Sequence, residues 1–274
     1  MCNKIRTEVE AYLVQYPPAL NLFRKIMMVG DVYIVGGLLR EYRDNGKIQE
    51  LRDADFSINI KNRELWKELL NEMPHTLNHF GGYKFMCSGF IVDIWDVAET
   101  WAFQKHFIEV EDEDYFEHLT DSVYLNIDAI AYDLSNDKWN DFGYRKAMES
   151  NILDLVLAEN PYIELNLLRA MVLRRKYNMQ YSKKLKKVIL TYSEYEEFVT
   201  KLMDIQQNRY GYKVLDEIEI NAEIQRCNYY SVKETGHGHL CKSSGNYTGV
   251  GKGLQASCIA QSCIEPSEDE NKAD

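Results

Sequence analysis

Between residues 53 and 60 polar and apolar side chains alternate without a break. Asp53, Asp55, Ser57 and Asn59 fall on one side, and Ala54, Phe56, Ile58 and Ile60 on the other. This is the period of a strand with two different faces. A shorter β-branched and aromatic run, Val32 to Val35, ends at Gly36-Gly37, and Leu38 to Tyr42 then reads as the start of a helix. The segment therefore predicts a strand, a tight glycine turn and a helix. Upstream, residues 5–28 carry a helical pattern broken at Pro17-Pro18, where Pro18 can open a second helix because its missing N–H is no loss in a first turn. Downstream, residues 62–72 fit an amphipathic helix. Tyr83–Met86 and Phe90–Trp95 flank a Cys87-Ser88-Gly89 turn and predict a hairpin. Residues 109–117 hold six acids in nine and read as a solvated loop, and Val123–Tyr132 is a further apolar segment.

From about residue 144 the period becomes helical, with helices expected over 145–158, 161–178, 182–190, 192–207 and 211–226. From about residue 232 Gly, Ser, Asn and Thr take over and the end is polar and acidic, the composition of a disordered tail. The expected layout is an α+β head over 1–144, built on a mixed sheet, then a helical segment over 145–231 and a tail over 232–274. His237, His239, Cys241, Cys258 and Cys263 lie in that tail without a Cys-x-x-Cys pair, so their spacing gives no zinc signature.

At 45% hydrophobic residues the 274-residue chain has enough apolar material for a real core, which excludes a mainly disordered protein. With 32 Lys and Arg against 43 Asp and Glu the net charge is −11, which excludes a generally basic surface that coats nucleic acid. No apolar stretch approaches the ~20 residues of a membrane helix, and the first residues show no signal-peptide core. The expectation is a cytoplasmic protein with reduced cysteines and no membrane partner.

Chemistry concentrates between Val35 and Asp93. Aspartates at i and i+2 of a strand point the same way, roughly 7 Å apart, and Asp53 and Asp55 could share divalent ions. Asp93 stands on a later strand in the apolar context Ile-Val-Asp-Ile-Trp, with Asp96 as the alternative. Three carboxylates on one sheet face repel each other unless a cation lies between them. The diglycine turn, Gly36 and Gly37, would let backbone N–H groups approach a triphosphate at a helix N-terminus. Residues 169–187 hold eight Lys and Arg and no acid, a local basic patch that could track a nucleic-acid backbone. Arg174, Arg175, Lys176, Lys183 and Lys184 are the candidates for RNA contact.

These motifs resemble the nucleotidyltransferase superfamily of DNA polymerase β, and within it the head-and-neck group of poly(A) polymerases and CCA-adding enzymes. Val35-Gly36-Gly37-Leu38-Leu39-Arg40-Glu41, a spacer and Asp53-Ala54-Asp55 match the first motif. Tyr124 to Asp133 match a later segment, with Asp128 at the family's Asn, and Leu168-Arg169-Ala170 match the neck helix. Ser122 and Val123 stand where the family has paired arginines, and its base-reading Glu-Asp-x-x-Arg is absent. The resemblance implies a nucleotidyltransferase with Asp53, Asp55 and Asp93 binding two Mg²⁺ ions. It also implies Gly36, Gly37, Arg40, Asp128 and Arg169 around an NTP, and an acceptor that is RNA, with no DNA expected. The rival readings are a protein or small-molecule acceptor, a toxin or defence enzyme acting on tRNA, and a non-catalytic binding module on the same fold.

Overall fold

The computed structural model describes residues 4–48, 51, 53–77, 81–111 and 114–234, with side chains as far as residue 228. The His/Cys group and most of the expected tail lie outside the described residues. The described residues divide into two compact units, one formed by those up to 150 with 156–159, the other by 151–155 and 160–234.

The first unit opens with helices α1 (Lys4–Leu13) and α2 (Pro17–Val29), the second begun by the two prolines. Then come strand β1 (Gly30–Val35), helix α3 (Gly37–Asn45), β2 (Asp53–Ile60), α4 (Arg63–Glu72), β3 (Thr76–Leu77), β4 (Tyr83–Cys87) and β5 (Phe90–Asp96). Two short helices follow, α5 (Trp101–Gln104) and α6 (Tyr115–His118), then β6 (Ala131–Asp133), β7 (Lys138–Asn140) and α7 (Phe142–Ser150). Seven strands form one sheet in the order β3-β4-β5-β2-β1-β6-β7. It is mixed: β2 and β5 run parallel and every other neighbouring pair antiparallel. The predicted hairpin is β4–β5, and its turn places both Ser88 and Gly89 at positive φ, the geometry that suits the twist of a two-residue hairpin.

The apolar side of β2 packs under α2, where Phe23 and Phe56 stand 5.4 Å apart between ring centres among buried Leu22, Ile26, Ile58, Val92 and Ile94. The other side is covered in part by the segment after β5, which forms a small second core of Tyr33, Val97, Phe103, Phe116, Leu119 and Ala131. Val110 and Tyr115 pack against that core, so part of the acidic stretch 109–117 is not a solvated loop: its apolar residues anchor it.

Helix α7 ends at Ser150, where the predicted helix 145–158 was expected to continue. Asn151 takes a left-handed φ of 56°, which closes the helix, and Ile152–Leu153 pairs as strand β8 with β9 (Gln180–Tyr181). At its start, α7 is tied to the first unit: a Cβ on Gly143 would lie 2.7 Å from that of Ala129, and the Tyr144 amide donates to the Ala129 carbonyl. The division between the units therefore falls after residue 150, not near 144. The second unit holds α8 (Ile163–Tyr177), α9 (Lys183–Ser193), α10 (Phe198–Tyr210) and α11 (Glu217–Glu234). Ten successive residues of α8, Leu165 to Arg174, are buried. Helix α11 starts later than the predicted 211–226 because Gly211, at φ 69°, ends α10 first, and the Gln206 side chain then holds the Val214 and Leu215 amides of the connection.

Candidate functional site

Strand β2 lies at the centre of the sheet, and all eight of its residues are buried, its polar side included. An edge strand would leave Asp53 and Asp55 in water; here they are 6% and 8% exposed. The parallel register with β5 sets Asp93 directly beside Asp55, and Asp53 beside Ile91. Neighbouring strands are about 4.8 Å apart, so Asp55 and Asp93 share one face as immediate neighbours, and Asp53 follows about 7 Å along the strand. Asp93 is 1% exposed. Two unit charges ~5 Å apart repel by about 3 kcal/mol at an effective dielectric of ~20, and burial adds to that. Asp96, the alternative, is committed elsewhere. It caps the turn after β5 through the Ala98 amide and pairs with Arg63 at 2.8 Å. The odd position of Asp93 and the even position of Asp96 place them on opposite sides of β5.

Among the described residues no three His, Cys, Asp or Glu side chains stand together as a ready cation cage. The Asp55–Asp93 pair nevertheless supplies hard oxygen donors side by side, the donor chemistry that Mg²⁺ takes from a protein, with its other positions filled by water and phosphate.

The glycine turn stands on the other flank of β2. Antiparallel pairing matches Tyr33 with Ser57, and the same register carried to the end of β1 sets Val35 beside Asp55. Gly36 has φ 72° and ψ −120°, a backbone region that residues with a Cβ avoid, so the turn requires glycine at that position. Gly37 opens α3. Its N-terminal amides, like those of any helix, lack partners within the helix. The Gly36 amide donates to the Ile130 carbonyl at 3.0 Å.

Arg40 and Asp128, both expected at the nucleotide, are brought together as a buried ion pair. The Arg40 guanidinium lies 3.9 Å from where a Cβ of Gly36 would be. The pair thus joins α3 to the 126–130 turn directly beneath the diglycine. Nearby, Asp141 bridges Arg43 and Arg145, and Arg43 stacks 3.7 Å from the Trp139 ring centre. Burial and neighbouring Asp133 hold the Asp31 carboxyl above the usual range, and burial also pushes the Cys87 thiol up, away from nucleophile chemistry.

The remaining expected site residues belong to the second unit. Arg169 is buried on α8. Arg174 was expected on the RNA surface, but it is buried and pairs with Glu223 at 2.8 Å; Glu223 also accepts from the Tyr181 hydroxyl. Arg175 is exposed and pairs with Glu219. Lys176, Lys183 and Lys184 are exposed, with Lys176 over the Tyr177 ring. The basic run is thus split between an internal ion-pair network and a smaller set of exposed lysines. A basic run in sequence does not reveal this, because Glu219 and Glu223 enter from α11, more than forty residues later.

No protein-family model and no curated protein matches the sequence. Solved structures do match. A CCA-adding enzyme complexed with ATP superposes with a TM-score of 0.51 at 17% identity, over 83% of this chain and 55% of that one. A CCA-adding enzyme complexed with CTP gives 0.51 at 15% identity, over 79% and 54%. The Thermotoga maritima CCA-adding enzyme complexed with tRNA gives 0.50 at 17% identity, over 83% and 56%. The chain spans about half the length of these structures. At such identity the likeness shows the fold, the mixed α+β head of CCA-adding enzymes. No helix among the described residues is long and apolar enough to cross a membrane.

Proposed function

We propose that the chain is a metal-dependent nucleotidyltransferase that moves a nucleotide from an NTP to an RNA acceptor. The observation that carries this reading is the in-register pair Asp55–Asp93 at the sheet centre, with Asp53 along the same face and the Gly36–Gly37 turn on the next strand. Buried neighbouring carboxylates destabilise a protein unless something cationic uses them. Three solved structures with this fold are CCA-adding enzymes complexed with ATP, with CTP and with tRNA, which supports NTP and RNA as the substrate classes.

Asp53, Asp55 and Asp93 would hold two Mg²⁺ ions. When bound, these neutralise the triphosphate and lower the pKa of the attacking hydroxyl. The diglycine turn presents α3 amides to the phosphates, and Arg40 and Asp128 hold that turn in place from below. The attacking oxygen forms a bond to the α-phosphorus, the α–β bridging P–O bond breaks, pyrophosphate leaves and the hydroxyl proton passes to water. Little else is needed, because phosphoryl transfer rests on positioning and charge stabilisation. Exposed Lys176, Lys183 and Lys184 meet the RNA backbone in this reading.

The test is incubation of the protein with each α-labelled NTP, Mg²⁺ and total RNA. Label in RNA supports the reading. Label in the protein itself contradicts the RNA acceptor, and no label with any NTP contradicts the enzyme and favours a binding module on this fold.

A further inference from the structure

Strand register places a further charged residue in the same row as Asp93 and Asp55. Strand β4 pairs antiparallel with β5 so that Lys84 stands directly opposite Asp93. Across β4, β5 and β2 the row therefore reads Lys84, Asp93, Asp55, all on one face of the sheet, and it continues to the end of β1 and the glycine turn. Lys84 is partly buried, and its side chain forms no ion pair or hydrogen bond among the described residues. That sets it apart from the cations around the site. Arg40 is paired with Asp128 and Arg43 with Asp141. Side chains directly opposite on antiparallel strands have Cβ atoms about 5 Å apart. An ammonium that close to a buried carboxylate, yet not paired with it, is available to another anion.

We infer that Lys84 is the acceptor-side cation of this site and binds a backbone phosphate of the RNA next to its attacking hydroxyl. The inference rests on the nucleotidyl-transfer reading and follows from the order of the row. The triphosphate belongs at the glycine turn, on the β1 flank of Asp55. In-line displacement requires the nucleophile to approach from the side opposite the leaving pyrophosphate. That side is the Asp93 flank, so the strand bearing the hydroxyl crosses β5 and then β4, where Lys84 is the next charge. The assignment makes Lys84 a contact for the acceptor and not for the NTP.

Three forms of the full chain decide it: wild type, Lys84→Ala and Lys84→Arg. Lys84→Ala is expected to raise KM for an RNA acceptor about fivefold or more and to leave KM for the NTP within twofold, with Lys84→Arg restoring most of the loss. A single-stranded RNA oligonucleotide gives a second readout. One lost phosphate contact lowers the slope of log K against log salt by about 0.7. An unchanged slope, or a rise in the NTP KM without one for RNA, overturns the inference. If the wild type transfers no nucleotide, the enzymatic reading falls by itself, and the salt slope still decides whether Lys84 meets RNA.

Discussion

Arg40 and Asp128 bury opposite charges against one another, with side chains 5% and 10% exposed. Removing one partner strands the other in the interior, which is far more damaging than replacing both. Arg40→Ala is expected to lower stability by about 3–5 kcal/mol in chemical denaturation, and the double variant Arg40→Met/Asp128→Asn to recover most of it. Equal losses in the single and double variants would remove the pair from the support of the glycine turn. Asp31 gives a pH-dependent case. Its carboxyl is raised in the folded protein by burial and by Asp133, so the folded state holds that proton more tightly than the unfolded chain. Its favourable contribution is present at low pH and is lost as pH rises through the folded-state pKa. Asp31→Asn should therefore melt above wild type at pH 7, with the advantage disappearing below the ordinary carboxylate range. An advantage that persists in acid would assign the effect to something other than charge. Single residues were unevenly legible in the sequence. Asp53 and Asp55 stand out because alternation puts them on one face, and parity alone separates Asp93 from Asp96. The partner of Arg40 lies 88 residues away, and the place of Lys84 depends on strand register, which no local pattern encodes.

Strands and helices with a clear period were readable, and the ones that tertiary contacts impose were not. β1, β2, the β4–β5 hairpin and α4 lie where alternation and turn residues put them. The two-residue strands β3, β8 and β9 are too short to carry a period. Nothing in the helical pattern of 145–158 shows that Asn151 turns left-handed and ends α7. In the second unit, the elements α8, β9 and α11 meet at one buried carboxylate. Glu223 pairs with Arg174 and accepts from Tyr181, whose hydroxyl is held well above its ordinary pKa by burial and by that carboxylate. Glu223→Ala would leave Arg174 charged and buried, and a loss of about 3–5 kcal/mol is expected. RNA affinity at fixed salt should change little so long as the variant is folded, because Arg174 is internal. A large loss of RNA affinity in a folded Glu223→Ala protein would return Arg174 to the binding surface.

At the scale of the molecule, a net charge of −11 coexists with exposed lysines on α9 and an acidic row at the sheet centre. Under the proposed function the exposed lysines meet a polyanion, and RNA affinity is then expected to fall as salt rises. The fold class was legible because the strand-turn-helix and the alternating strand follow in a fixed order. The division of the chain was legible only to within a few residues, since α7 is helical like the second unit but packs on the first. The claim on which everything else depends is that the buried aspartates do chemistry and are not merely enclosed. Asp55→Asn tests it most directly, with nucleotide incorporation into RNA and metal-free melting measured on the same preparation. Ser57 and Asn59, further along the face, offer no replacement charge. The expected result is a fall in turnover of at least ~10²-fold, about 2.7 kcal/mol of transition-state stabilisation, with NTP affinity much less affected. Melting without metal should be no lower than wild type, because repulsion with Asp93 is relieved. Turnover retained within a few-fold, in a protein that melts normally, would contradict the proposed site.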